Sequence, residues 1–171
     1  MGSRAPSVAA AVAAVALLAA TMGTATLRPL VTAGYPYVRA CPGAGERDDV
    51  DRWRMNTCNC TSYVAWALAA NGYRTDWFIA GAMDAWNWPH VARLAHLIVG
   101  MKPRVGSVAV WPHWGRFGHL AFVTAVNPDG TVDVVEYNLP GARAFSFDRR
   151  QGVPARGVSF IYVPRRQAPN S

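Results

Sequence analysis

The chain has 171 residues, 51% of them hydrophobic, with 17 Lys and Arg against 10 Asp and Glu and a formal net charge of +7. That length suits one domain with a buried core, and neither a second domain nor an internal repeat is visible in it. A basic surface draws anionic polymers; nucleic acid, acidic lipid and a bacterial wall with its carboxylates and phosphates all qualify, so charge alone does not choose a partner.

Arg4 precedes an uninterrupted Ala, Val and Leu run from Val8 to Ala20, followed by small residues around Gly23, Thr24 and Ala25. This three-part pattern reads as a secretory signal peptide over residues 1–26, cleaved near 23–26. An uncleaved membrane anchor is the alternative, because no charge falls between Arg4 and Arg28 and that length just spans a bilayer. Pro6 and the small residues after Ala20 favour cleavage, with no stable membrane insertion afterwards. Residues 27–171 are then one exported domain.

Three cysteines are an odd number for an exported chain. Cys58 and Cys60 flank a single residue, too close for an unstrained bridge, which leaves Cys41 to pair with one of them. A Cys41–Cys58 bridge would close a loop through Gly43, Gly45 and the Glu46-Arg47-Asp48-Asp49 run, contributing about 3 kcal/mol in the chain-entropy view. Cys60 would then stay a free thiol.

From Asn59 the pattern turns helical. Tyr63, Val64, Ala67 and Leu68 recur at helix spacing, Asn59 is a plausible N-cap, and Asn71-Gly72 is a C-terminal stop. Cys60 falls in the first turn, where unpaired backbone amides and the helix dipole favour a thiolate and are placed to hold an oxyanion. The competing reading is a buried, inert cysteine packing as a small hydrophobe. A second helix is expected over Gly81 to Trp88, stopped by Pro89, and a further short helical piece over Val91 to Ile98.

After Pro103 the period changes to strand, over Ser107–Trp111, His119–Val126, Thr131–Tyr137 and Val158–Val163. Asn127-Pro128-Asp129-Gly130 is a strong turn signal between the middle two. As a four-residue hairpin loop it sets Val126 opposite Thr131. His119 then lies opposite Asn138, with Glu136 as its diagonal neighbour on the same face. Ala121, Val123, Val132 and Val134 share that face, so a carboxylate there needs a partner, and an imidazole is the obvious one.

Trp111 and Trp114 lie just before His119, and Trp86 on the preceding segment; they are candidates for an aromatic groove holding glycan or peptide, or else core filler. His90, His96 and His113 lack ligand spacing with any carboxylate cluster and read as surface residues. A zinc site from Cys58, Cys60 and His113 or His119 is disfavoured by the one-residue cysteine spacing. Cys60, His119, Glu136 and Asn138 together are the parts of a thiol hydrolase that needs no metal.

Four stretches carry a resemblance: Cys60-Thr61-Ser62-Tyr63-Val64-Ala65-Trp66, Val105-Gly106-Ser107-Val108-Ala109-Val110-Trp111, Gly118-His119-Leu120-Ala121-Phe122-Val123, and Asp129-Gly130-Thr131 leading to Glu136-Tyr137-Asn138. Over about residues 35–163 the chain resembles the CHAP domain, the cysteine- and histidine-dependent amidohydrolase/peptidase family of peptidoglycan hydrolases. The resemblance implies an α+β, papain-like fold, with N-terminal helices packed on an antiparallel β-sheet. It also implies Cys60 as nucleophile, His119 as general base and acid, and Glu136 and Asn138 as supports of the ring. The implied partner is cell-wall peptidoglycan, with no nucleic acid, no cofactor and a monomeric protein acting outside the cell or in its envelope. An inactive domain of the same fold, binding wall or another protein, is the alternative. The family usually sits beside a wall-binding module; none is seen here, so targeting would fall to the domain's own surface.

Overall fold

The computed structural model describes residues 29–38, 41, 49–78 and 83–167. The expected signal segment, residues 42–48 of the loop between Cys41 and Cys58, and the start of the helix expected from Gly81 lie outside the described residues.

The first helix, α1 (Cys60–Ala70), begins after Asn59, which is extended at φ −108° and ψ 164°. It closes in a Schellman motif: the Tyr73 N–H donates to the Leu68 carbonyl at 2.9 Å and the Gly72 N–H to that of Ala69 at 3.0 Å. Gly72 supplies the left-handed turn this closure requires, at φ +74°. Thr61, Ser62, Tyr63, Val64, Ala65, Ala67 and Leu68 are all buried, so the helix is enclosed on most sides. The Asn71 side chain reinforces its end by bridging both backbone groups of Val31 (2.7 and 2.8 Å) and the Ala67 carbonyl (2.8 Å).

Pro89 starts a helix where the sequence reading makes it a stop. A 3-10 turn (Ala85–Asn87) runs into α2 (Trp88–Leu94), with Pro89 in its first turn. A missing N–H is harmless there and the fixed φ suits the helix. The chain leaves α2 at Ala95, so Ile98 is not helical; it opens strand β1 (Ile98–Gly100).

The remaining strands are β2 (Val108–Trp111), β3 (His119–Val126), β4 (Thr131–Tyr137), β5 (Phe147–Pro154) and β6 (Ser159–Tyr162). They form one sheet in the order β1-β6-β2-β3-β4-β5, antiparallel at every pairing. Among the described residues, two short helices followed by an antiparallel sheet make an α+β domain. α1 packs on β3 and β4, and α2 on β1 and β6. Residues alternate between the faces. Leu120, Phe122, Val135 and Tyr137 join Tyr63, Val64 and Leu68 in the main core. Ala121, Val123, Val132 and Val134 face the other way, with Ala109, Val158 and Phe160.

The β3–β4 register departs from the expected one at the turn and returns to it farther along. Val126 lies opposite Val132, and not Thr131, because Asn127 and Thr131 close the loop through a 2.9 Å backbone bond. An irregularity between Val123 and Ala125 absorbs the extra residue, so that Val123 faces Val134 and Phe122 faces Val135. Those are the pairs a Val126–Thr131 register would give at the far end.

Cys41 and Cys58 form a disulfide with Cα atoms 5.6 Å apart, and Cys60 is a free thiol. The buried Tyr35 hydroxyl holds the same corner. It contacts Ser62 Oγ at 2.6 Å and accepts from the Cys58 N–H at 3.0 Å. Burial pushes this phenol up to about 12, so it stays an O–H group. Replacing both Cys41 and Cys58 with serine should lower the unfolding free energy by about 3 kcal/mol, read by urea denaturation; an unchanged midpoint would show that Tyr35 alone holds the corner.

Candidate active site

Cys60 is the first residue of α1 and partly exposed. Cys58, two residues earlier, sits at φ +65°, a left-handed conformation uncommon outside glycine; the disulfide and the Tyr35 hydroxyl hold it there. Asn59 makes no side-chain bond to the helix it caps. Its Oδ1 accepts instead from Asn138 Nδ2 at 2.7 Å. The first intrahelical bond runs from the Tyr63 N–H to the Asn59 carbonyl, and the amides ahead of it belong to the set a helix start leaves without helical acceptors.

His119 opens β3 opposite Trp111 of β2 and is 1% exposed. Gly118 makes the entry possible. It stands at φ +71°, and a Cβ on it would lie 2.7 Å from the Trp86 backbone nitrogen. His119 Nε2 meets Glu136 Oε2 at 2.7 Å, with the carboxylate 0% exposed. The expected convergence of His119 and Glu136 on one face is therefore present. With Nε2 committed to the carboxylate, Nδ1 is the ring nitrogen left for Cys60. Burial alone would lower the imidazole; hydrogen bonds and charge from Cys60 and Glu136 outweigh it and push the ring up to about 9. Burial likewise opposes ionisation of Glu136, yet bonds from His119 and Arg150 hold its carboxyl below the usual range.

Asn138 is not a ring partner. It lies beyond the end of β4 at φ +55°, its Nδ2 holding Asn59 and its Oδ1 accepting the Phe145 N–H at 3.0 Å. It thus ties the helix start to the sheet. Arg150 is the site residue that sequence reasoning missed. From β5 it donates through Nε to Glu136 Oε1 and through Nη2 to Oε2 at 2.9 Å.

The tryptophans divide. Trp114 stands edge-on to His119 with centroids 5.4 Å apart, and Trp111 is 6.1 Å from it. Trp114 lines a cavity of about 290 Å³ together with Asn59, Cys60, Arg116, His119 and Asn138. Trp86 is 49% exposed and borders an adjoining hollow with His113 and the shared Arg116. His90, His96 and His113 are exposed. Among the described residues no group of three or more His, Cys, Asp or Glu is arranged to hold a metal ion.

The chain belongs to the CHAP domain family, whose model matches residues 50–138. It is 36% identical over 93 residues to a Streptococcus mutans serotype c protein described as a hydrolase, across 51% of this chain and 41% of that one. It is 34% identical over 76 residues to the N-acetylmuramoyl-L-alanine amidase sle1 of Staphylococcus epidermidis, across 44% of this chain and 22% of the relative. An N-acetylmuramoyl-L-alanine amidase structure from Staphylococcus aureus superposes with a TM-score of 0.49 at 27% identity, covering 62% of this chain and 30% of the other. The chain spans less than half the length of each.

The buried ring makes a pH prediction. A folded-state value raised to about 9 from an unfolded value near 6.5 gives stability that is fully present below about pH 6.5 and lost as pH rises through 9. Imidazole NMR of His119 should titrate near pH 9. Cys60→Ala and Glu136→Gln should each lower that midpoint, and a ring titrating below 7 in the wild type would refute the arrangement.

Proposed function

We propose that this protein is an exported cysteine hydrolase that cleaves an amide bond in bacterial peptidoglycan. The observation that carries the reading is the buried His119, paired with Glu136, lining one cavity with the free thiol of Cys60 at a helix start. Family membership and amidase-named relatives support the wall as substrate, the basic charge suits an anionic polymer, and the Arg4–Ala25 pattern supports export.

In this mechanism the Cys60 thiolate attacks the amide carbon, and first-turn backbone N–H groups hold the oxyanion. The His119 imidazolium, through Nδ1, protonates the leaving amine as the C–N bond breaks, leaving a thioester on Cys60. His119 then takes a proton from water, which attacks the thioester; the acyl group leaves as a carboxylic acid that gives its proton to solvent, and the Cys60 thiolate and His119 imidazolium are restored. Glu136 fixes the ring and stabilises its charged form. Asn138 acts on the helix start through Asn59, and Trp114 forms one wall of the substrate cleft. The helix-start thiol and strand-borne imidazole follow a papain-like plan. The amidase-named relatives favour the bond joining the glycan lactyl group to the first residue of the stem peptide over one within the cross-link.

Incubating the protein with purified peptidoglycan and analysing the fragments by mass spectrometry tests the reaction and the bond together. Stem peptides separated from glycan mark amidase action, and opened cross-links mark endopeptidase action. Cys60→Ser should abolish release while preserving the fold; release at the wild-type rate from this variant would overturn the thiol mechanism. Glu136→Ala should cut turnover by about 10²-fold with little change in substrate affinity.

A further inference from the structure

We propose that Arg150 is a positioning residue for this site, clamping both oxygens of Glu136 and so fixing the carboxylate that orients His119; the inference rests on the proposed Cys60–His119 chemistry. Arg150 lies opposite Val134 in the β4–β5 pairing, while Asp148 lies opposite Glu136. The guanidinium therefore reaches Glu136 along the sheet diagonal, on the face shared with His119. Nε binds Oε1, and Nη2 binds Oε2 at 2.9 Å, the same oxygen that meets His119 Nε2 at 2.7 Å. One carboxylate oxygen is thus shared by imidazole and guanidinium, and the other is held by the guanidinium.

A second set of contacts fixes the clamp itself. The guanidinium carbon stands 5.2 Å from the Trp111 ring centroid and 5.1 Å from that of Trp114. The same two indoles flank His119, so both cations bound to Glu136 share one aromatic box. Stacking and two-point bonding use the planar fork of arginine, and an ammonium supplies neither. The neighbouring Arg149 takes no part: its Nη2 donates to Thr32 Oγ1 at 3.3 Å.

The charges facing His119 are Cys60 from α1, Glu136 from β4 and, across the carboxylate, Arg150 from β5, with Asp84 and Arg116 also lining the cavity. Arg150 draws on the negative charge of Glu136 and repels the imidazolium. Removing it leaves Glu136 to His119 alone, raising the affinity of the ring for its proton while freeing the carboxylate to rotate.

The test compares Arg150→Gln, Arg150→Lys and the control Arg149→Gln by His119 imidazole NMR and by kcat and KM against pH on peptidoglycan. Arg150→Gln should move the ring's midpoint up by about one unit and lower kcat about tenfold with KM little changed. Arg150→Lys should keep the midpoint near the wild-type value but still lose kcat, and Arg149→Gln should change neither. A folded Arg150→Gln with wild-type kcat and midpoint overturns the proposal, as does Arg150→Lys with full kcat should the glutamine variant not fold. The NMR arm needs no turnover, so a protein that leaves peptidoglycan intact would sink the hydrolase reading while the clamp is still judged by the midpoints.

Discussion

A fully enclosed carboxylate is the constraint around which this domain is arranged. Glu136 sits on a sheet face it shares with the apolar Ala121, Val123, Val132 and Val134, and an ionised group there is stable only with partners on its oxygens. His119 supplies one and Arg150 the others. Each requirement then passes outward. The imidazole must enter its strand through a left-handed glycine packed on the Trp86 backbone, and the guanidinium must have rings to lie on. Two of the three tryptophans read as groove candidates from sequence, Trp111 and Trp114, are in large part the walls of this box.

The thiol is placed by a separate set of anchors. The disulfide, the Tyr35 hydroxyl and the left-handed backbone of Cys58 fix the turn into α1, and the Asn138–Asn59 bond ties that turn to the end of β4. Helix start and imidazole are therefore located by the same strand pair, through Asn138 on one side and Glu136 on the other. A shift of β4 relative to α1 would disturb both together.

How much of this was legible follows from the kind of signal each element carries. α1, β3 and β4 have strong local grammar: an N-cap and a Gly stop, and β-branched runs across an Asn-Pro-Asp-Gly turn. The His119–Glu136 contact followed from alternation, and it survived an error at the turn because the irregularity near Thr124 compensates for the Asn127–Thr131 closure. Pro89 was ambiguous in principle, since proline both ends helices and begins them. β1 is three residues long, and β5 runs Phe-Asp-Arg-Arg-Gln-Gly-Val-Pro along the sheet edge, mostly exposed. An edge strand with charges and proline resists misassociation, and the same composition hides it from a reading of hydrophobic period. Arg150 was invisible because its strand was.

Arg150 completes an alternation of charge. In the proposed reaction the resting line runs Cys60 thiolate, His119 imidazolium, Glu136 carboxylate, Arg150 guanidinium, two of each sign and neutral in sum. Neutrality matters because His119 and Glu136 are almost fully buried and an unbalanced charge there is poorly solvated. Attack moves the thiolate's charge onto the carbonyl oxygen, where the first-turn N–H groups hold it, leaving imidazolium and guanidinium to share the single carboxylate beside them. The imidazolium thereby loses one of the two partners that raise its proton affinity, at the step where the leaving amine needs that proton. Once the proton has gone, the Glu136–Arg150 pair is neutral again and the free imidazole is poised to take a proton from water. Release of the acyl group regenerates the thiolate and with it the demand for imidazolium. The guanidinium keeps its charge through the proposed cycle; by occupying part of Glu136, it keeps the carboxylate from holding the imidazolium so firmly that the proton could not leave.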